Sequence, residues 1–529
     1  MGFPRRAAKL VRDKESRLEL CDEKTFRRCV LLVYILVAAA NVITHEMWRD
    51  ELHVWFTAAD SNSVRELFSN MRCQGHPPLW YLMLYVISRA THNPAAMKAL
   101  HLAIAVGSVY VFVRFAPFTR LQRLLFVFGY FPLYEYAAIS RNYAVGIFLL
   151  FCFCAACGAA RKKFFILCII LFLLGMASAY SFIITVCLLV AIGFKAATDA
   201  YARDVLIRRK WAILLSAAVV VLGLVISAAV MFPESDCMYA SEWTTGFDIV
   251  TLEQTFATAW QGLAPIPQIT HSFWNTNIVP WQILQGILAV ALLCFFLLSM
   301  ANNRTVFLFF SLTVGAMLVF EYIVYIGSLR HFGHFFIVAI VCLWFEKVWG
   351  DDKPIKPGLL SALSRLCVQK RQLLIVVLLC IHFAVGIFAS VMEWRYPFSQ
   401  GKNAAQYIRQ RGLDKLPIVG YMDFVASSVA GYLDRPFYYP NSDSFGTFVV
   451  FDNKRKIVMG AQEVIEKALM LAEKNRSDVL LVLHLEFGNK NSSIIPLKTF
   501  TGSIQGDENF YLYLLNYRGQ HSETDKKSN

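Results

Sequence analysis

A chain of 529 residues that is 57% hydrophobic and only 17% charged, with a mean hydropathy of +0.49, lies outside the range of soluble globular proteins. Its composition is that of a polytopic membrane protein. The formal net charge of +14 does not point to nucleic acid, because Lys and Arg are confined to short loops between apolar runs, the pattern that marks the cytoplasmic side.

Residues 1–29 carry nine Lys/Arg by Arg28 and no small-residue cleavage site, which predicts a cytoplasmic tail leading into a helix that is retained. Apolar runs predict spans at about 30–46, 97–115, 121–136, 142–159, 163–178, 181–198, 211–231, 281–300, 304–326, 331–349 and 372–392. Leu79–Ser88 has too few apolar residues to cross, and is expected as a juxtamembrane helix inside a first outer loop, 47–96. Eleven crossings then put the N-terminus inside and the C-terminus outside. On this count Arg114–Arg123, Arg161–Lys163, Lys195–Lys210 and Lys353–Arg371 all fall inside. The outer loop 232–280 holds five Asp/Glu and no Lys or Arg. Most of the thirteen cysteines are expected in helices or inside, as small apolar fillers. Cys73 and Cys237 fall in outer loops, where they read either as a disulfide or as two unpaired thiols.

After Trp394 the apolar runs shorten, and charges, Gly and Pro return. Strands are predicted at Pro417–Tyr421, Val479–His484 and Phe510–Leu515, with helices at Asn403–Arg411 and Gln462–Lys474 between them. The expected fold class is mainly α: a polytopic transmembrane helical bundle over 30–392, with a small C-terminal α/β soluble domain over 393–529 on the outer side. The polar stretch 521–529 is expected to be disordered.

Ionisable groups in the membrane half gather at the outer ends of predicted spans, not at the midplane where an ion-coupled transporter carries them. They are Asp50 and Glu51 after the first span, Glu135 and Arg141 around a turn, Glu321, and the group Arg330, His331 and His334. Glycosyl transfer from a lipid-linked phosphosugar needs a carboxylate to take the acceptor's proton, and cations to stabilise the departing phosphate. Asp50 is the candidate base, with Glu51 orienting it or serving as an alternative base. His53, in Trp48-Arg49-Asp50-Glu51-Leu52-His53, is a candidate substrate contact. So are His76 and Tyr81, in the Pro-directed aromatic stretch Gly75-His76-Pro77-Pro78-Leu79-Trp80-Tyr81. Arg141 and Tyr143 lie in Ser140-Arg141-Asn142-Tyr143-Ala144; Arg141 reads as a phosphate or sugar contact, and Glu135 before it as a supporting acid or a hydroxyl binder. A structural Glu135–Arg141 ion pair is equally open. Arg330, His331 and His334 are expected to hold the phosphate; His331 and His334 by themselves make a poor metal site, because no third ligand has a suitable spacing.

These motifs, in this order, resemble the GT-C superfamily of polyprenyl-phosphate-sugar glycosyltransferases. The likeness is especially to the bacterial branch related to protein O-mannosyltransferases, aminoarabinose transferases and lipopolysaccharide galacturonosyl transferases. Asp50-Glu51 is similar to that family's first-loop acidic motif, His76-Pro77-Pro78-Leu79-Trp80-Tyr81 to its His-Pro-Pro-Leu-Tyr-Tyr stretch, and Ser140-Arg141-Asn142-Tyr143-Ala144 to its Ser-Arg-x-x-Tyr-Ala turn. The resemblance implies an inverting transferase in a bacterial inner membrane, with a polyprenyl-phosphate sugar donor, an envelope lipid, glycan or protein acceptor, and the first-loop Asp as base. Relatives place a further Asp, able to serve a metal, in the turn that holds Glu135 here, so a divalent metal cofactor stays open. The tail from Tyr396-Pro397-Phe398-Ser399 looks like the outer domain appended to some members. A flippase for lipid-linked saccharides, or a membrane-anchored scaffold, is the alternative; neither needs a proton acceptor at Asp50.

Overall fold

The computed structural model describes residues 22–158, 160–199, 203–204, 207–208, 210–238, 243–350, 357–488 and 493–517. The basic tail up to residue 21 and the polar tail 521–529 lie outside them. The first helix, α1 (Glu23–Thr44), starts where the Asp22 carboxylate accepts from the backbone N–H groups of Lys24 and Thr25 at 2.7 and 2.9 Å. Three short helices follow, α2 (Arg49–Ala59), α3 (Val64–Met71) and α4 (Leu79–Ser88), then α5 (Ala95–Phe115) and α6 (Arg120–Val127). At ten residues, α4 is about 15 Å long, half the hydrocarbon thickness.

The membrane half continues with α7 (Tyr143–Cys157), α8 (Ala160–Gly175), α9 (Ala179–Thr198), α10 (Lys210–Met231), α11 (Ile249–Leu263), α12 (Gln282–Met300), α13 (Arg304–Ile323), α14 (Leu329–Trp349) and α15 (Leu359–Arg395). Among the described residues, eight helices are long and apolar enough to cross a membrane: α1, α5, α9, α10, α12, α13, α14 and α15. Of the remaining predicted spans, 142–159 and 163–178 correspond to the shorter apolar helices α7 and α8. The run 121–136 is not one helix. It breaks after Val127 and resumes as a π-helical turn, Phe131–Glu135, with Pro132 in it, because proline cannot donate the interior hydrogen bond. The outer loop 232–280 is not all loop either; it contains α11.

Two close approaches set the geometry. Gly262 of α11 lies against α14, where an added Cβ sits 2.0 Å from the Phe332 carbonyl oxygen, so only glycine lets the backbones meet beside Arg330. Gly431 lies against Leu52 and Phe56 of α2, with an added Cβ at 3.1 Å from each.

Gly431 belongs to the C-terminal domain, which runs α16 (Gly401–Gln410), β1 (Ile418–Tyr421), α17 (Asp423–Leu433), β2 (Phe437–Tyr439), β3 (Ser444–Gly446), α18 (Ala461–Asn475), β4 (Val479–Leu483), β5 (Ile494–Phe500) and β6 (Phe510–Leu515). Its sheet has the order β3-β2-β1-β4-β6-β5, parallel in the centre (β2, β1, β4) and antiparallel at both edges. Apolar residues alternate along the strands, so each face buries one set: α16 and α17 cover Ile418, Leu480 and Leu512, and α18 covers Val419, Leu481 and Tyr513. Of the two readings of the outer cysteines, the disulfide Cys73–Cys237 is the one formed. Beside it, Arg72 binds Asp236 at 2.6 Å and Asp452 at 3.1 Å, which joins the first loop, the segment after α10 and the C-terminal domain.

Candidate active site

The site grows from the first turn of α2. Asp50 and Glu51 both sit at that helix N-terminus, where negative charge is favoured. Being neighbours, they leave the helix about 100° apart and meet different surroundings. Glu51 is fully buried: one oxygen takes His45 Nε2 at 2.8 Å, the other accepts from the Ser140 backbone N–H at 2.6 Å. His45 Nδ1 in turn faces Glu393 Oε1 at 3.0 Å, and Tyr134 donates to Glu393 Oε2 at 2.6 Å. This buried chain ties the first loop to the turn before α7 and to the end of α15. Glu51 therefore braces the site and does not contact the Asp50 carboxylate.

Asp50 is partly exposed and faces cations. Its Oδ2 is 2.8 Å from Arg330 Nη2 and 4.0 Å from Arg141 Nη2, while Arg141 Nη1 donates to the Asp50 carbonyl at 2.6 Å. Burial pushes the Asp50 carboxyl up, but the guanidiniums of Arg330, Arg141 and Arg49 outweigh it and hold the group down at about 2, so it stays ionised. Arg330 stands between the Trp48 and Trp274 rings, at 5.2 and 5.8 Å from their centroids. Its Nε and Nη1, and the Nε of Arg141, are buried with no hydrogen-bond partner among the described residues. Buried donors of this kind are costly unless something accepts from them.

Arg141 also reaches His76, Nη2 to Nε2 at 3.2 Å, so that nitrogen accepts. Burial, with Arg141 and Arg330 close by, pushes the His76 imidazole down to about 3 and keeps it neutral. His53, one turn beyond Asp50, is pushed down to about 4 by burial and accepts weakly from the Val449 N–H at 3.4 Å. Tyr81 donates to Gln74 Oε1.

His331 accepts at Nδ1 from the Ser328 N–H at 2.8 Å, so its proton is on Nε2, which donates to the Tyr143 hydroxyl at 2.6 Å. The Tyr143 proton is then free to point elsewhere. His334 donates from Nδ1 to the His331 carbonyl at 2.8 Å and stacks on Tyr180 at 4.7 Å.

The structure thus brings Asp50, His76, Arg141 and Arg330 into direct contact, with His331 and Tyr143 joined beside them. It does not pair Glu135 with Arg141. Six residues apart across a broken turn, they take different partners, and Glu135 accepts from Tyr130 at 2.7 Å and from the Trp274 indole at 3.0 Å. A resident divalent metal finds no fitting donor set here. Among the described residues, only Cys73, Asp236 and Cys237 meet ligand spacing, and both thiols are spent in the disulfide.

Sequence reasoning missed Trp274, His45, Glu393 and Glu508. Trp274 carries no periodic signal in a long outer loop, Glu393 and Glu508 gain meaning only from partners more than a hundred residues away, and His45 joins nearby Glu51 to distant Glu393. Glu508, fully buried, accepts from the Arg49 N–H at 3.2 Å and from Ser399 Oγ at 2.6 Å, which docks the C-terminal domain one residue before Asp50. Burial pushes its carboxyl up to about 7, from an ordinary 4.5. Folded Glu508 thus binds its proton more tightly than unfolded Glu508 does, so this contribution to stability is full below pH 4.5 and is lost as pH rises through 7. The apparent melting temperature in detergent should accordingly fall by a few degrees from pH 6 to pH 8, and Glu508→Gln should flatten that slope. An unchanged slope in the variant would assign the effect to other groups.

No protein-family model matches the chain, and no curated protein matches it. Among solved structures, the chain is similar to ArnT from Cupriavidus metallidurans bound to undecaprenyl phosphate, at 12% identity and a TM-score of 0.48, over 92% of this chain and 97% of that one. It is also similar to the same protein in the apo state, at 12% identity and a TM-score of 0.47, over 92% and 98%. A likeness at this level decides no chemistry, which rests on the side chains described above.

Proposed function

We propose that the chain is an inverting glycosyltransferase embedded in a bacterial inner membrane, moving a sugar from a polyprenyl-phosphate donor to an envelope lipid, glycan or protein at the outer face. The observation that carries the proposal is the cluster of one ionised, partly exposed carboxylate, Asp50, against two arginines with buried, unspent donors, Nε and Nη1 of Arg330 and Nε of Arg141.

In the proposed reaction the acceptor oxygen attacks the sugar's anomeric carbon as the carbon–oxygen bond to phosphate breaks. The acceptor's proton goes to Asp50, and the bonding pair leaves with the lipid phosphate, onto Arg330 and Arg141. A carboxyl held near 2 is a weak base, and the arrangement contains its own remedy. Phosphate competing for Arg330 withdraws the strongest cation from Asp50, so Asp50 becomes more basic only when donor is bound. His76, neutral and accepting at Nε2 from Arg141, carries its proton on Nδ1, which can donate to a sugar or acceptor oxygen. The C-terminal domain, docked through Arg49 and Glu508, forms the acceptor-side wall.

The test is transfer by the purified protein in nanodiscs, given radiolabelled undecaprenyl-phosphate sugars one at a time with an envelope-lipid and glycan extract. One donor should label one product class. Donor binding without transfer, across the panel, would move the assignment to lipid-linked saccharide translocation.

A further inference from the structure

At the end of the bundle opposite Asp50, the first turns of α1 and the last turns of α5 enclose a groove of about 210 Å³. That is room for a headgroup, where a single water needs about 10–15 Å³ of such space. Its rim is Lys24, Arg27, Arg28 and Arg114; its floor is apolar, including Leu31 and Tyr110. The nearby acids are already committed. Glu23 is shared among Arg27 at 2.8 Å, Arg120 at 3.0 Å and Arg123 at 2.7 Å, and Asp22 is engaged by the cap and by Thr25 Oγ1. Lys24, Arg28 and Arg114 are exposed; Arg28 and Arg114 have no acidic partner among the described residues, and Lys24 has only the capped Asp22 beside it.

The two helices that enclose the groove are apolar enough to cross a membrane and turn hydrocarbon outward. Leu32 and Leu36 of α1 are about 60% exposed, and Tyr110 of α5 is 48% exposed. An occupant must therefore carry a negative head for the rim and a hydrocarbon tail for the wall below it. A soluble anion satisfies only the first requirement, and a neutral lipid only the second. We infer that this groove binds an anionic glycerophospholipid, its phosphodiester held by Lys24, Arg28 and Arg114 and one acyl chain lying along Leu31 and Tyr110. A helix of 22 residues is about 33 Å long, so this lipid lies a membrane's thickness from Asp50 and is separate from any donor. It anchors the end of α1 whose other end delivers His45 to Glu51.

The experiment is native mass spectrometry of the full chain in detergent with phosphatidylglycerol or phosphatidylcholine of identical acyl chains. Wild type should retain phosphatidylglycerol at least about tenfold better, and the triple variant Lys24→Gln, Arg28→Gln, Arg114→Gln should lose that preference. Glycerol 3-phosphate in excess should not displace the bound lipid. Equal retention of the two lipids by wild type overturns the inference without any variant, and so does displacement by glycerol 3-phosphate, which would mean a soluble-phosphate site. A preference unchanged in the triple variant, or in Arg28→Gln and Arg114→Gln made singly should the triple fail to purify, overturns it as well.

Discussion

Asp50→Asn is expected to lower the rate of sugar transfer by about 10²–10⁴-fold, the range for loss of a positioned general base. The substitution keeps volume and removes only charge and basicity. It also releases Arg330, whose Nη2 is 2.8 Å from Asp50 Oδ2, so binding of polyprenyl phosphate should be unchanged or tighter. The two readouts moving apart distinguishes a lost base from a damaged site, because misfolding weakens both. Single-turnover transfer and equilibrium binding of undecaprenyl phosphate, measured on the same preparations, are the check. Transfer within threefold of wild type would remove Asp50 from the chemistry and return the translocation and scaffold readings to the front.

Arg330→Gln is expected to act on both quantities at once. Removing one preorganised donor from a developing anion costs about 10²–10³ in rate, and losing a charge at the phosphate weakens donor binding as well. Arg330→Lys should recover binding in part and little of the rate. A lysine keeps the charge but cannot stand as a planar fork between Trp48 and Trp274 while pointing donors along two directions. Equal rescue of both by lysine would mean that Arg330 acts as a bare charge, with no oriented bond to the phosphate. With donor saturating, wild-type turnover in Arg330→Gln would exclude any role in leaving-group stabilisation.

Much of the architecture was legible because burial imposes a period on the sequence. Phe510–Leu515 was placed to the residue, since its six residues form a short unbroken apolar and aromatic run, as a strand packed on both faces requires. The non-spanning helix Leu79–Ser88 was also placed to the residue, from its length against the bilayer. Where period fails, so did the reading. The strand Ile494–Phe500 was missed because Pro496 and Lys498 interrupt an edge strand that faces solvent, and Phe437–Tyr439 and Ser444–Gly446 are too short to show alternation. The helix Asp423–Leu433 is built of small residues whose packing against α2 no window of sequence contains. In 121–136 the expected single helix is absent, because Pro132 breaks what composition alone counts as a span.

By itself the sequence determined that this is a multi-pass membrane protein and that ionisable residues are rare inside its apolar runs. It also singled out Asp50, His76, Arg141 and Arg330 as residues of interest. Those conclusions follow from solvation: hydrocarbon penalises charge wherever it occurs, so the few charges tolerated are visible one residue at a time. Which charge meets which was decided only by the tertiary structure. Asp50 pairs with Arg330 from 280 positions away, Glu51 turns inward to His45, and Glu135, six residues before Arg141, is bound instead by Trp274. Electrostatic pairing acts over a few ångströms in space, and distance along the chain carries almost no information about it once helices have packed.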